Sequence, residues 1–167
     1  MAETNIFKYS TNERLGKMDV DIIDIDLVTD TDATADNGVI SNPVEIANCV
    51  AVNAGTALLH SVQLIDDDDD GAAIDLVFTQ VATNLGTVNG AIDAADSVAA
   101  SILGVVSLSS YFDGIAWQIS QKTNIGLTLK AAASTKSIYV GAINRSGGAV
   151  TKTAADDLHL RIGVIKD

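Results

Sequence analysis

MDVDIIDIDLV, Met18 to Val28, alternates apolar and acidic residues almost one for one. Val20, Ile23, Ile25 and Leu27 fall between Asp21, Asp24 and Asp26, with a single slip at Ile22–Ile23. A period of two marks a β-strand with one wet face and one buried face. The slip predicts a β-bulge.

The same reading extends along the chain. An Asp/Thr/Asn/Gly loop from Thr29 to Asn42 ends at Pro43, the sole proline. Val44–Val52 and Ala57–Ile65 read as strands joined across Asn53–Thr56, and Ile74, Leu76 and Phe78 alternate again after a turn at Asp66–Gly71. Further strands are expected at Gly104–Ser109, Ile115–Gln121, Ile125–Ala131, Ser137–Ile143 and Leu158–Ile165. Gly114, Asn124, Gly147 and Gly148 punctuate them. Only Ala94–Leu103 has helical spacing, with Asp93 or Asp96 at its start. Eight or nine strands with connections too short for repeated βαβ crossovers predict an all-β fold, an antiparallel β-sandwich of jelly-roll-like form with one short helix.

Residues 18–167 are thus expected to form one β-sandwich domain, preceded by an extended N-terminal arm at 1–17. The arm mixes both charges and holds Phe7, Tyr9, Arg14 and Lys17 without a clear period, so these four are its candidate contact residues.

Composition narrows the function. With 167 residues, 47% of them apolar, the chain can build a core without disulfides or metals. Aromatics supply only 4%, which argues against a large cofactor pocket. The net charge of −12 is segregated: residues 1–70 hold 15 Asp or Glu against 3 Lys or Arg, and the remainder balances at 7 against 7. An acidic chain is a poor ligand for phosphate backbones or anionic membranes, so neither nucleic acid nor membrane is an expected partner. Cys49 is the lone cysteine; it excludes an intrachain disulfide and reads as a small buried hydrophobe. The polar start, Met1–Ser10, lacks the apolar stretch of a signal peptide, and synthesis in a cytoplasm is expected.

The sharpest local motif is Asp66–Gly71, DDDDDG. Asp66, Asp68, Asp70 and Gly71 match the opening of an EF-hand loop, which needs oxygen ligands at alternate positions and a glycine for the turn. Val77 stands where a bidentate Glu is required, so the match stops there. The cluster is a candidate cation site, weighed against a solvated hairpin tip. Asp30, Asp32 and Asp36 repeat the spacing more weakly. His60 and His159 have no companions at zinc-binding or catalytic spacing. There is no nucleophile elbow, phosphate loop or dinucleotide fingerprint. No catalytic residue and no cofactor is assigned, and the chain reads as a binding protein, not an enzyme.

Three stretches carry a resemblance: LLHSVQLIDDDDDGAAIDLVFT (Leu58–Thr79), KTNIGLTLKAAASTKSIYVGAINR (Lys122–Arg145) and LHLRIGVIKD (Leu158–Asp167). Together they resemble small decoration, or cement, proteins of tailed-phage capsids. The resemblance implies a β-sandwich, often a homotrimer, on the outer surface of the head, where it binds the major capsid protein and stabilises the shell. It also implies that residues 1–56, which match less clearly, vary with the grip on the shell. A head-fibre, tail or receptor-binding module is the alternative, and a calcium-dependent adhesin a further one.

Overall fold

The computed structural model describes residues 19–166, so Phe7, Tyr9, Arg14 and Lys17 of the expected arm lie outside the described residues. Among the described residues, nine strands form two antiparallel sheets: β1 (Asp19–Leu27), β2 (Val39–Ile46), β3 (Thr56–Asp66), β4 (Ile74–Thr79), β5 (Ile102–Leu108), β6 (Tyr111–Asp113), β7 (Gln118–Lys130), β8 (Ile138–Asn144) and β9 (Leu158–Lys166). One helical turn, α1 (Asp96–Ala99), precedes β5. The strand orders are β1-β9-β3-β7-β6 and β2-β8-β4-β5.

Those orders have a simple origin. β1 pairs with β9, β2 with β8, β3 with β7 and β4 with β5, all antiparallel. The chain is one long nested hairpin, wrapped so that its rungs fall alternately into two sheets and acquire the further pairings β3·β9 and β4·β8. This is the jelly roll, with β6 added as a short edge strand beside β7. The inner faces pack Leu27, Leu59, Leu64, Leu160 and Ile162 against Ile46, Ile74, Leu76, Phe78, Ile138 and Val140, all but fully buried.

Several local expectations are corrected. β1 runs in unbroken register against β9, with no bulge at Ile22–Ile23. Ile23, Ile25 and Leu27 point inward, while Val20 and Ile22 lie on the outer face, 60% and 70% exposed. The apparent slip is two apolar residues presented to the outside. β2 begins at Val39, inside the expected loop, and takes in Pro43; this edge strand shifts register between Val39 and Val44, which accommodates a residue lacking an N–H. The expected helix at Ala94–Leu103 shrinks to one turn with no buried residue, because Ile102–Leu108 pairs with β4 instead. Asn124, read as a break between two strands, and Gly126, inside the expected strand Ile125–Ala131, sit at positive φ within β7, opposite the register shift at Leu59/Ser61 of β3. They form a bulge in one long strand.

The two outer faces are finished differently. Residues 80–101 fold back over the β2-β8-β4-β5 sheet, where Leu85 and half-buried Val98 pack on Val39, Val77 and Ile143. Asn42 fixes this cover, donating to the Gly86 carbonyl at 2.9 Å and accepting from the Leu85 N–H at 3.0 Å. Gly141 makes room for it, since a Cβ there would stand 2.9 Å from Leu85 Cδ1. Among the described residues, no segment covers the outer face of the β1-β9-β3-β7-β6 sheet.

Register also resolves the charge segregation. β9 lies between β1 and β3, and bases of residues 152–166 meet acids of residues 1–70: Lys152 with Asp66 and Asp70, His159 with Asp26 and Asp67, Arg161 with Asp24, and Lys166 with Asp21.

Candidate functional site

The open sheet face can be read row by row from the pairings. One row holds Ile22, Gly163, Ser61 and Thr123; the next holds Asp24, Arg161, Gln63 and Gln121; a third holds Asp26, His159, Ile65, Ile119 and Phe112. A groove of about 440 Å³ lies between Gln63, Ser110, Tyr111, Phe112, Ile119 and Gln121. A second hollow of about 200 Å³ continues it over Ser61, Gln63, Gln121, Thr123 and Gly163 to Ile22 and Arg161. Gly163 keeps the floor low, because a Cβ there would stand 2.5 Å from Ser61 Oγ.

One end of the groove is aromatic. Tyr111, Phe112 and Trp117 are three of the five aromatic residues between 19 and 166, and they are 45%, 68% and 38% exposed. Phe112 and Trp117 lean together with ring centroids 5.9 Å apart and planes 36° apart. Gly114 permits this, as a side chain there would collide with the indole. At the tip Ile115 is 92% exposed with φ at 77°. A β-branched residue rarely enters the left-handed region; here the Asp113 carboxylate accepts from the Ile115 N–H at 2.8 Å and holds the turn. Composition missed this corner: a scarcity of aromatics over the whole chain conceals their concentration in one hairpin. The expected strand Ile115–Gln121 placed Ile115 in a sheet, whereas it caps the β6–β7 turn.

The acidic loop lies beside this corner. Gly71, at φ 65°, stands so close to Tyr111 that a Cβ would fall 2.5 Å from the phenol oxygen. The structure brings Asp66, Asp68 and Asp70 together, with one carboxylate oxygen from each inside a 4.8 Å group. It is not merely a solvated tip. Asp66 is 3% exposed, and the Lys152 ammonium donates to both its oxygens and to Asp70 Oδ2, each at 2.7 Å. Gln118 Nε2 donates to Asp66 Oδ2 at 2.9 Å, while Gln118 Oε1 is buried with no partner among the described residues. Asp68 accepts from the Thr153 N–H at 2.7 Å and the Thr153 hydroxyl at 2.6 Å. Partial burial raises the Asp68 pKa, but these hydrogen bonds outweigh it and the net shift is downward. The positive charge an EF-hand-like opening would take from an ion is thus supplied by a side chain 86 residues away. Asp30, Asp32 and Asp36 stay on an exposed loop, apart from that group.

The histidines separate. His60 is exposed at the bulge of β3. His159 bridges Asp26, 2.7 Å from Nδ1, and Asp67, 3.3 Å from Nε2, and the hydrogen bond to Asp26 leads the causes that raise its pKa. Cys49 is buried, as expected, and desolvation pushes its thiol up to about 11. No described helix is long and apolar enough to cross a membrane.

No family model matches the sequence, and no curated protein does. Among solved structures, the infectious bursal disease virus VP2 subviral particle aligns at 10% identity over 90% of this chain and 41% of that one, with a TM-score of 0.25. The infectious bursal disease virus Gx strain aligns at 10% identity over 89% and 40%, with a TM-score of 0.18. This chain therefore spans about two fifths of each, and at such scores neither likeness bears on function. The jelly roll rests on the strand order itself.

Proposed function

We propose that the chain is a virion structural protein that binds the outer surface of a tailed-phage head and cements its shell. The observation that carries the reading is the polarity of the sandwich. Asp19, where residues 1–18 join β1, pairs with Lys166, which also faces Ala57; Asp66, Gln118 and Asp113 gather at the opposite pole with Leu27 and Leu158. Nine residues of β1 place the poles roughly 27 Å apart at about 3.4 Å per residue. The arm, with Phe7, Tyr9, Arg14 and Lys17, grips the major capsid protein at one pole. The aromatic corner then stands away from the shell. Weak contacts repeated over a lattice add up to strong retention, and a homotrimer multiplies them further. The pairing of Asp21, Asp24 and Asp26 with β9 leaves the arm, not an acidic strand, to supply the grip. The protein acts by binding, without catalysis.

The jelly roll serves capsid and lectin domains alike, and a fold does not assign a function. The exposed groove and its aromatic wall favour a second reading, a head-fibre, tail or receptor-binding module. With Lys152 already between Asp66 and Asp70, a calcium-dependent adhesin has less support.

The deciding experiment is mass-spectrometric copy number in purified particles relative to the major shell protein, for the full chain and for a variant lacking residues 1–17. Cementing predicts one copy per one or a few shell subunits and loss of occupancy on truncation. A few copies per particle would point to the tail or fibre reading. Full occupancy by the truncated chain would remove the arm's role.

A further inference from the structure

We infer that the open sheet face is a binding site for an uncharged glycan chain lying across the strands from the Phe112–Trp117 corner toward Ile22. The inference concerns a different surface from the arm and stands or falls independently of capsid attachment.

Four features define the ligand. First, among the described residues the side-chain amides of Gln63 and Gln121 have no partner, and both line the two hollows. An amide both donates and accepts, which suits vicinal hydroxyls. Ser61, Ser110 and Thr123 add hydroxyls along the same path. Second, the exposed ring of Phe112 and the neighbouring Tyr111 offer apolar faces at one end, on which the C–H face of a sugar ring can rest. Third, among the described residues Arg161 is the one cation lining the groove, and it is held by Asp24 at 2.7 Å, so the groove presents no unpaired cation to select a phosphate, sulfate or carboxylate. Fourth, the groove is long. From β6 to β1 it crosses four inter-strand steps, roughly 19 Å at about 4.8 Å each, which fits an oligomer rather than a single sugar.

The sheet opposite shows that bareness is not a property of the fold. There the chain spends residues 80–101 on a cover and a glycine on making room for it. Here the glycine, Gly163, deepens a hollow that nothing among the described residues fills.

The test is a titration of the full-length, isotope-labelled protein with cellohexaose, laminarihexaose and maltohexaose, neutral glucose oligomers that differ only in linkage, and with an oligoglucuronate as the charged comparison. The side-chain amide signals of Gln63 and Gln121 and the indole signal of Trp117 report binding. At least one neutral oligomer is expected to move all three, with a Kd of about 1 mM or tighter. Gln121→Ala and Phe112→Ala are each expected to weaken binding about tenfold, the equivalent of a hydrogen bond or ring contact. Both positions are exposed, and an unchanged melting temperature confirms that the variants fold. No movement with any neutral oligomer overturns the inference, as does tighter binding of the oligoglucuronate. It is also overturned if the signals respond only to purified capsids, which would make this a protein-docking face, or only after residues 1–17 are removed, which would make the arm its occupant.

Discussion

The Lys152 ammonium touches both carboxylate oxygens of Asp66 at 2.7 Å, and each residue is only 3% exposed. The pair pins the loop between β8 and β9 to the end of β3, beneath the acidic turn. Removing one partner of a buried ion pair strands the other charge away from water, which costs far more than an exposed pair is worth.

Lys152→Met should therefore lower unfolding stability by about 3–5 kcal/mol. Urea denaturation reads this as a fall in midpoint at constant slope. Adding Asp66→Leu should return part of the loss by deleting the orphaned charge, the remainder reflecting the buried Gln118 amide that loses its acceptor. If the single variant unfolds at the wild-type midpoint, Lys152 does not hold the loop.

His159 gives the protein a pH dependence near neutrality. Its pKa is raised, first by the hydrogen bond to Asp26 and also by the Asp67 charge, so the folded state binds its proton more tightly than the unfolded state does. Its stabilising contribution is complete below the unfolded value of about 6.5 and is lost as pH rises through the higher folded value. His159→Gln should melt lower than wild type at about pH 5, with the gap closing toward about pH 9. A gap that widens as pH rises would contradict the Asp26–His159–Asp67 arrangement.

Ile115 occupies the left-handed region at 92% exposure, so its side chain adds strain without burial. Asn adopts this conformation at little cost. Ile115→Asn is expected to stabilise by about 1 kcal/mol and to raise the melting temperature by roughly 2–4 °C. A lower melting temperature would mean that the isoleucine makes contacts within the protein itself.

Cys49, with its thiol at about 11 and no exposure, should resist a thiol-specific reagent near neutral pH in the native protein. Labelling should follow global unfolding and accelerate in denaturant, monitored by mass. Rapid labelling without denaturant would show that the segment after β2 opens locally.

Alternation made most strands legible, because each sheet buries one face: Ala57–Ile65 and Leu158–Ile165 emerge within a residue of their observed ends. It failed where an outer face departs from the usual wet-outside rule. Val20 and Ile22 broke the pattern of β1 because they are apolar on the outside, in the same sheet as the groove. The three residues of β6 were too few to show a period, so the edge strand carrying Phe112 went unseen. Lys152 could not be matched to the aspartates, since only the wrapping of the hairpin brings a loop after β8 back to the end of β3. The glutamines of the groove carry no sequence signal at all; register alone sets Gln63 opposite Gln121.

The unbroken pairing of β1 with β9 sets how the molecule bears a mechanical load. Pulling Asp19 away from Lys166, its neighbour at the same pole, would open the ladder one rung at a time. A load applied to the aromatic corner while residues 1–18 are held runs along the strands instead. The ladder bonds lie across that direction, so β1 is sheared against β9 and the rungs between Asp19 and Leu27 resist together. A protein held through the chain that precedes Asp19 and tugged at its far pole is thus loaded along its strong axis.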